Sequence, residues 1–211
     1  MKKNKISKNW LYKQQADIYF KRSKSQGYRS RSAFKLIEMN NKFKFLKKNS
    51  LLVDLGSSPG GWSQVASKII TKGKILALDI KPMDKIKKVD FIQGDFSKDE
   101  IRKKVLNYFN KNIDVVLSDM AINTSGNKNL DSYQTGELCL KSMDLAGEVL
   151  KEDGIFLSKL FMGSVFEEIK VKAKKYFRKV INYKPQSSKK ESKEIYIFCK
   201  GLLKPFNFKN L

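Results

Sequence analysis

The run Leu51-Leu52-Val53-Asp54, closed by an acid and followed by Gly56, Pro59, Gly60 and Gly61, constrains this chain more than any other segment. A short apolar run bounded by turn residues reads as a buried strand entering a glycine-rich turn. The turn feeds a helix from Trp62 to Ile70, then strands over Lys74 to Asp79 (KILALD) and Val89 to Ile92. Ser97, with Glu100 at capping-box spacing, predicts a helix running to about Phe109. Ile113 to Ser118 is a further strand ending at Asp119, and Leu130 to Leu150 a long helix with Met143, Ala146 and Leu150 along one stripe. Asp153-Gly154 then turns into the strand Ile155 to Leu160, a helix spans Val165 to Tyr176, and two more strands cover Lys179 to Tyr183 and Ile195 to Lys200. Upstream, Arg31 to Phe43 reads as a helix with Ala33, Phe34, Ile37 and Asn41 on one face and Lys35 on another. Alternating strands and helices make an α/β chain: an open, mostly parallel sheet with helices on both faces. The last two strands, joined only by a loop over 184–194, must pair antiparallel.

A length of 211 residues fits one compact domain, at a prior of about 150 residues per domain. Histidine is absent, which excludes an imidazole base, a Ser-His-Asp triad and a His-ligated metal. Cys139 and Cys199 stand apart among apolar residues, so both are expected in the core, with neither a disulfide nor a metal site. The segment Met1 to Gln15 is polar and basic and does not read as a signal peptide. No apolar stretch approaches the roughly 18 residues of a membrane span. The chain is expected to be soluble, cytoplasmic and monomeric, without metal or membrane partners.

The net charge is +23, and it is unevenly placed. Residues 1–50 carry 15 basic and 2 acidic side chains, residues 51–160 carry 16 and 15, and residues 161–211 carry 13 and 4. A lysine-rich proteome would have tilted the middle as well, so the basic ends read as a polyanion-binding surface. Trp10, Tyr12, Tyr19, Phe20 and Tyr28 are interleaved with the N-terminal charge, a pattern suited to phosphates and stacked bases of unpaired RNA. Each ring taken singly also fits a simpler role, docking the segment onto the core. We divide the chain into a basic RNA-binding arm (1–28), a catalytic domain (29–203) and a tail (204–211).

In open α/β sheets ligands bind at the carboxyl ends of the strands, near the switch in strand order. There this chain carries the glycine turn after Asp54, then Asp79, Gln93-Gly94-Asp95-Phe96 and Asp119. The turn lacks GxGxxG spacing, and no GxxxxGK[ST] occurs, so a pyrophosphate cradle is not indicated. Gly56, Gly60 and Gly61 allow close backbone approach to a small ligand. Asp79 can accept two ribose hydroxyls, and Asp95 an adenine amino group. A ligand with an amino acid at one end and adenosine at the other fits S-adenosylmethionine.

The segments DLGSSPGGWSQ, ALDIKPMD, FIQGDF, LSDMAIN and RSRSAFKL together resemble the bacterial FtsJ/RrmJ-type ribosomal RNA 2′-O-ribose methyltransferases, in register from about residue 29 to 201. The resemblance implies a Rossmann-like methyltransferase fold, with a seven-stranded, mostly parallel sheet and an antiparallel C-terminal strand. It implies S-adenosylmethionine as methyl donor, held by Gly56, Pro59, Gly60, Gly61, Trp62, Asp79, Asp95 and Asp119. It also implies a catalytic Lys-Asp-Lys-Glu tetrad, falling on Lys35, Asp119, Lys159 and Glu194. The implied substrate is a uridine of large-subunit (23S) ribosomal RNA, in the ribosomal subunit.

Lys159, in an otherwise apolar strand, does not read as a surface charge; Lys35 taken alone does. As a base Lys159 must be neutral, a form favoured by a like-charged neighbour and opposed by nearby acids. Base and orienting group both remain open for it. Ile122, where the family commonly has Pro, and Ser57-Ser58, in place of small apolar residues, imply a differently shaped loop near the substrate. Two rival functions remain: a transfer RNA methyltransferase with the same tetrad, and a non-catalytic ribosome-assembly factor. A DNA amino-methyltransferase is disfavoured, because Ser118-Asp119-Met120-Ala121 is no Asn/Asp-Pro-Pro-Tyr-like motif.

Overall fold

Period-two burial builds the central sheet of this computed structural model, which describes residues 17–122, 125–189 and 191–203. The strands are β1 (Leu51–Leu55), β2 (Lys74–Asp79), β3 (Asp90–Gln93), β4 (Ile113–Ser118), β5 (Leu150–Phe161), β6 (Phe177–Tyr183) and β7 (Glu194–Leu202). Their order is β3-β2-β1-β4-β5-β7-β6. β1 to β5 run parallel, and β7 pairs antiparallel with both β5 and β6. Strands buried on both faces need near-continuous apolar sequence, and successive residues serve opposite faces. Thus Leu52, Val115, Leu117, Ile155, Leu157, Tyr196 and Phe198 join one core. Val53, Leu55, Val116, Phe156, Ile197 and Cys199 join the other. Both cysteines are buried and free.

The helices divide between the faces. Residues of α2 (Ser32–Phe43) and α3 (Gly61–Ile69) fill the first core. Residues of α4 (Asp99–Phe109), α5 (Lys128–Val149) and α6 (Phe166–Tyr176) fill the second. α1 (Ile18–Ser25) lies outside α2. Asp17 caps α1, accepting from the Tyr19 and Phe20 amides, and pairs with Arg31. The rings of Tyr19 and Tyr28 stand 5.6 and 5.7 Å from Phe34, so these two aromatics dock the N-terminal segment on α2. Trp10 and Tyr12 lie outside the described residues. None of the described helices is long and apolar enough to cross a membrane.

Three expectations need correction. The buried face of α2 is Ala33, Leu36 and Met39, with Lys35 also buried, whereas Asn41 is exposed. The segment offers apolar residues on more than one side, and the fully buried side is Ala33, Leu36 and Met39, beside which Lys35 meets Glu194. Ser97 does not cap α4: its amide and hydroxyl both bond Asp95 Oδ1, at 2.9 and 2.8 Å. The helix begins one turn position later, with Asp99 and Glu100 in its positive first turn. Nor does a turn at Asp153-Gly154 separate α5 from β5. Leu150 already pairs with Ile113, and the register shifts before Ile155 meets Val115.

Leu36 and Asn41 distinguish the two α2 registers. Leu36→Ala is expected to cost about 2–5 kcal/mol, the usual range for a fully buried Leu. Asn41→Ala should stay within about 0.5 kcal/mol. Urea unfolding of the two variants beside wild type measures both.

Candidate active site

The alternation that fills the first core also delivers polar groups to one end of it. On β5, Ile155, Leu157 and Lys159 share a face; on β7, Glu194, Tyr196 and Phe198 do. Lys159 is the cross-strand partner of Tyr196, and Phe161 that of Glu194. Asp119 comes directly after β4, its amide bonded to the Leu55 carbonyl. α2 covers this face and brings Lys35. Four residues distant in sequence therefore meet at the carboxyl end of the sheet.

They form two ion pairs joined by a phenol. The Lys159 ammonium lies 3.1 Å from Asp119 Oδ1 and donates to the Asp119 carbonyl at 2.9 Å, with only 7% of its side chain exposed. The Lys35 ammonium lies 2.6 and 2.7 Å from the two Glu194 oxygens. Ser188 Oγ donates to Glu194 Oε1 at 2.7 Å. Between the pairs stands Tyr196, whose hydroxyl donates to Asp119 Oδ1 at 2.9 Å. Its ring centre is 5.8 Å from the Lys35 ammonium. Burial first, then the charges of Asp119 and Glu194, hold the Tyr196 phenol well above its ordinary pKa, so it remains a donor. The sequence reading did not single out Tyr196; its place two residues beyond Glu194, on the same strand face, was the available signal.

A cleft of about 300 Å³ opens on the other side of Asp119. Gly56, Asp79, Asp95 and Asp119 line it together with apolar Leu78, Ile80, Phe96 and Leu138. The Asp79 carboxylate accepts from the Ser58 and Lys81 amides, at 2.9 and 2.8 Å. The Asp95 carboxyl is held below its ordinary value, chiefly by the Ser97 amide. Gly56 has φ +72°, and a Cβ there would stand 2.4 Å from Met120 Cγ. Only glycine allows the β1 and β4 loops to approach so closely.

Pro59, Gly60, Gly61 and Trp62 are not among the lining residues. A Cβ on Gly61 would strike Ser30 Oγ, and the Trp62 indole N–H donates to the Ser32 carbonyl at 2.9 Å. This stretch presses α3 against the start of α2 and so fixes where Lys35 enters. Among the described residues no three metal-ligating side chains cluster.

Behind the cleft, Asp54 is fully buried; Oδ2 accepts from Ser63 Oγ at 2.6 Å, while Oδ1 and the nearby Ser57 Oγ have no partner. Unpaired buried polar atoms mark where a ligand's polar groups would be accommodated. Burial pushes the Asp54 carboxyl up to about 7, against the Ser63 hydrogen bond and aided by the charges of Asp119 and Asp79. The native state then binds this proton more tightly than the unfolded chain, whose aspartates titrate near 3.9. Asp54 accordingly subtracts stability as pH rises from about 4 to 7. Asp54→Asn removes that slope, so the variant should gain on wild type by up to about 1.4 kcal/mol per pH unit across the window. Urea midpoints at pH 5 and pH 7.5 test this; a pH-independent difference would show that Asp54 titrates normally.

Comparison with known proteins gives the family. The pattern of the FtsJ-like methyltransferases matches residues 28–202. A Pelagibacter ubique protein named ribosomal RNA large subunit methyltransferase E is 48% identical over 202 residues, covering 96% of this chain and all of the relative. A Plasmodium falciparum structure described as a ribosomal RNA methyltransferase superposes with a TM-score of 0.75 at 36% identity, covering 84% of this chain and all of that one. A Streptococcus mutans methyltransferase in complex with SAH shares the fold at TM-score 0.53 and 16% identity, over 79% of this chain and 97% of that one. With the sheet order, the cleft and the paired lysines in place, the chain belongs to the FtsJ-like methyltransferase family.

Proposed function

We propose that this protein transfers a methyl group from S-adenosylmethionine to the ribose 2′-hydroxyl of a uridine in large-subunit (23S) ribosomal RNA. One observation carries the reading: Asp119 lines the cofactor-sized cleft and also pairs with the buried Lys159. Donor site and acceptor site thus share one carboxylate. The similarity to a protein named ribosomal RNA large subunit methyltransferase E over its whole length supports the choice of substrate.

The cleft suits the cofactor. Asp79 would accept the ribose hydroxyls and Asp95 the adenine amino group, with Leu78, Ile80, Phe96 and Leu138 as apolar walls. Gly56, Pro59, Gly60, Gly61 and Trp62 would shape the turn at the amino-acid end, where Asp54 and Ser57 offer unpartnered oxygens. When bound, S-adenosylmethionine supplies an electrophilic methyl on its sulfonium.

The chain's own residues position the nucleophile. Lys159, fixed by the Asp119 carboxylate and carbonyl, would as an ammonium steer the 2′ oxygen toward the methyl group. The methyl–sulfur bond would break as the C–O bond forms, leaving the thioether, and the hydroxyl proton would pass to solvent or, where Lys159 is neutral, to its amine. Asp119 holds that ammonium in one place, and Tyr196 fixes Asp119. Lys35, held by Glu194, places a second cation beside the acceptor. Such fixed geometry favours in-line attack, because orientation is prepaid in the fold.

We assign residues 1–28 to an RNA-gripping arm, 29–203 to the methyltransferase domain and 204–211 to a tail. The arm and the loop over 184–193 would hold phosphates, with the protein acting as a monomer on the large subunit in the cytoplasm.

Labelled methyl transfer to large subunits, naked ribosomal RNA and bulk transfer RNA tests the reading. Lys159→Ala should lower the rate by about 10²–10⁴-fold while cofactor affinity stays near wild type. The label should appear as an alkali-resistant 2′-O-methyl nucleotide of ribosomal RNA. Label in transfer RNA alone would replace the substrate, and no label despite cofactor binding would favour a non-catalytic factor. The logarithm of the affinity for RNA should fall linearly with the logarithm of salt concentration, as counterion release requires. A flat salt response would exclude the basic ends from binding.

A further inference from the structure

Acids are scarce in the first fifty residues, where Asp17 and Glu38 stand against 15 basic side chains. Both are used at one corner of the molecule. Asp17 pairs with Arg31, whose guanidinium also donates to the Ser187 carbonyl at 2.5 Å. Glu38, on α2, accepts four hydrogen bonds from the end of β6 and the loop beyond it. The Tyr183 hydroxyl and the Gln186 amide reach Oε1, at 2.6 and 2.7 Å. The Ser187 amide and hydroxyl reach Oε2, at 3.1 and 3.0 Å. Burial raises the Glu38 pKa, but these donors outweigh it, and the carboxyl titrates below its ordinary value.

Ser188, the next residue in the chain, is buried with its hydroxyl on Glu194 Oε1. Resting on the functional reading above, we propose that Glu38 is a positioning residue. It folds residues 186–188 so that Ser188 holds the Glu194 carboxylate in place for Lys35. Glu38 sits one helical turn beyond Lys35 on α2, so the same helix presents the catalytic lysine and fastens the loop that orients the lysine's partner. A loop of this lysine content has a plainer role, gripping RNA phosphate, and that role predicts different kinetics. Loss of grip raises KM, whereas loss of positioning lowers kcat.

The test uses Glu38→Ala, Ser188→Ala and Ser188→Thr beside wild type and Lys159→Ala, in steady-state methyl transfer to large ribosomal subunits. Cofactor affinity is measured separately by calorimetry, and folding by thermal melts. Glu38→Ala and Ser188→Ala should each lower kcat by about 10- to 100-fold, the scale of a misplaced catalytic group. KM for subunits and cofactor affinity should stay near wild type, and Ser188→Thr, which keeps the hydroxyl, should recover most of the loss. A raised KM at unchanged kcat, or wild-type kinetics for Ser188→Ala, overturns the inference. If Glu38→Ala fails to fold, the two Ser188 variants decide it alone. No transfer by wild type would overturn the functional reading and, with it, this inference; active wild type with unimpaired variants overturns the inference alone.

Discussion

A buried ammonium must be paired, and the Lys159–Asp119 contact meets that demand at the end of the central sheet. An ion taken out of water costs several kcal/mol unless its hydrogen bonds are satisfied. Lys159 has both the carboxylate and the backbone carbonyl of Asp119, and Asp119 in turn has the Tyr196 hydroxyl. Removing Asp119 would take the carboxylate from Lys159 and the acceptor from the Tyr196 hydroxyl at once. The arrangement therefore ties the ends of β4, β5 and β7 to one another.

The second pair depends on the first through packing. Tyr196 is fully buried between the Trp62 ring, 5.8 Å away, and the Lys35 ammonium. Trp62 in turn bonds the first residue of α2. The glycine turn, the lysine-bearing helix and the antiparallel strands are thus braced against one aromatic. Gly60 and Gly61 serve this close packing against residues 29–32, and Gly56 serves the approach of the β4 loop. The three glycines of one motif have separate mechanical reasons.

Much of this was legible in the sequence because burial imposes period. β2 and β4 match the expected strands residue for residue, since KILALD and IDVVLS are apolar runs with clear ends. The antiparallel pairing of β6 and β7 results from the short connection between them. Helix starts were less legible. Ser97 has the right spacing for a cap, yet its amide and hydroxyl both turn to Asp95 Oδ1, and Lys98 takes the N-cap position. On α2 the expected face was only partly right: Ala33 is buried and Ile37 packs against the core, but Leu36 and Met39 are the deeply buried residues and Asn41 is exposed, because the segment carries apolar residues on more than one side.

Composition, strand-end acids and the ordered motifs by themselves determined the α/β class and pointed to the carboxyl ends of the strands for a ligand. These are local properties, set by alternation and by which side chains can ionise. Only the tertiary structure decided how the tetrad divides: Lys35 with Glu194, Lys159 with Asp119, and Tyr196 between them. The partners lie 159 and 40 residues apart, and no one-dimensional pattern encodes which buried charge will meet which. That choice is made by strand register and the seating of α2, which exist only once the sheet is formed.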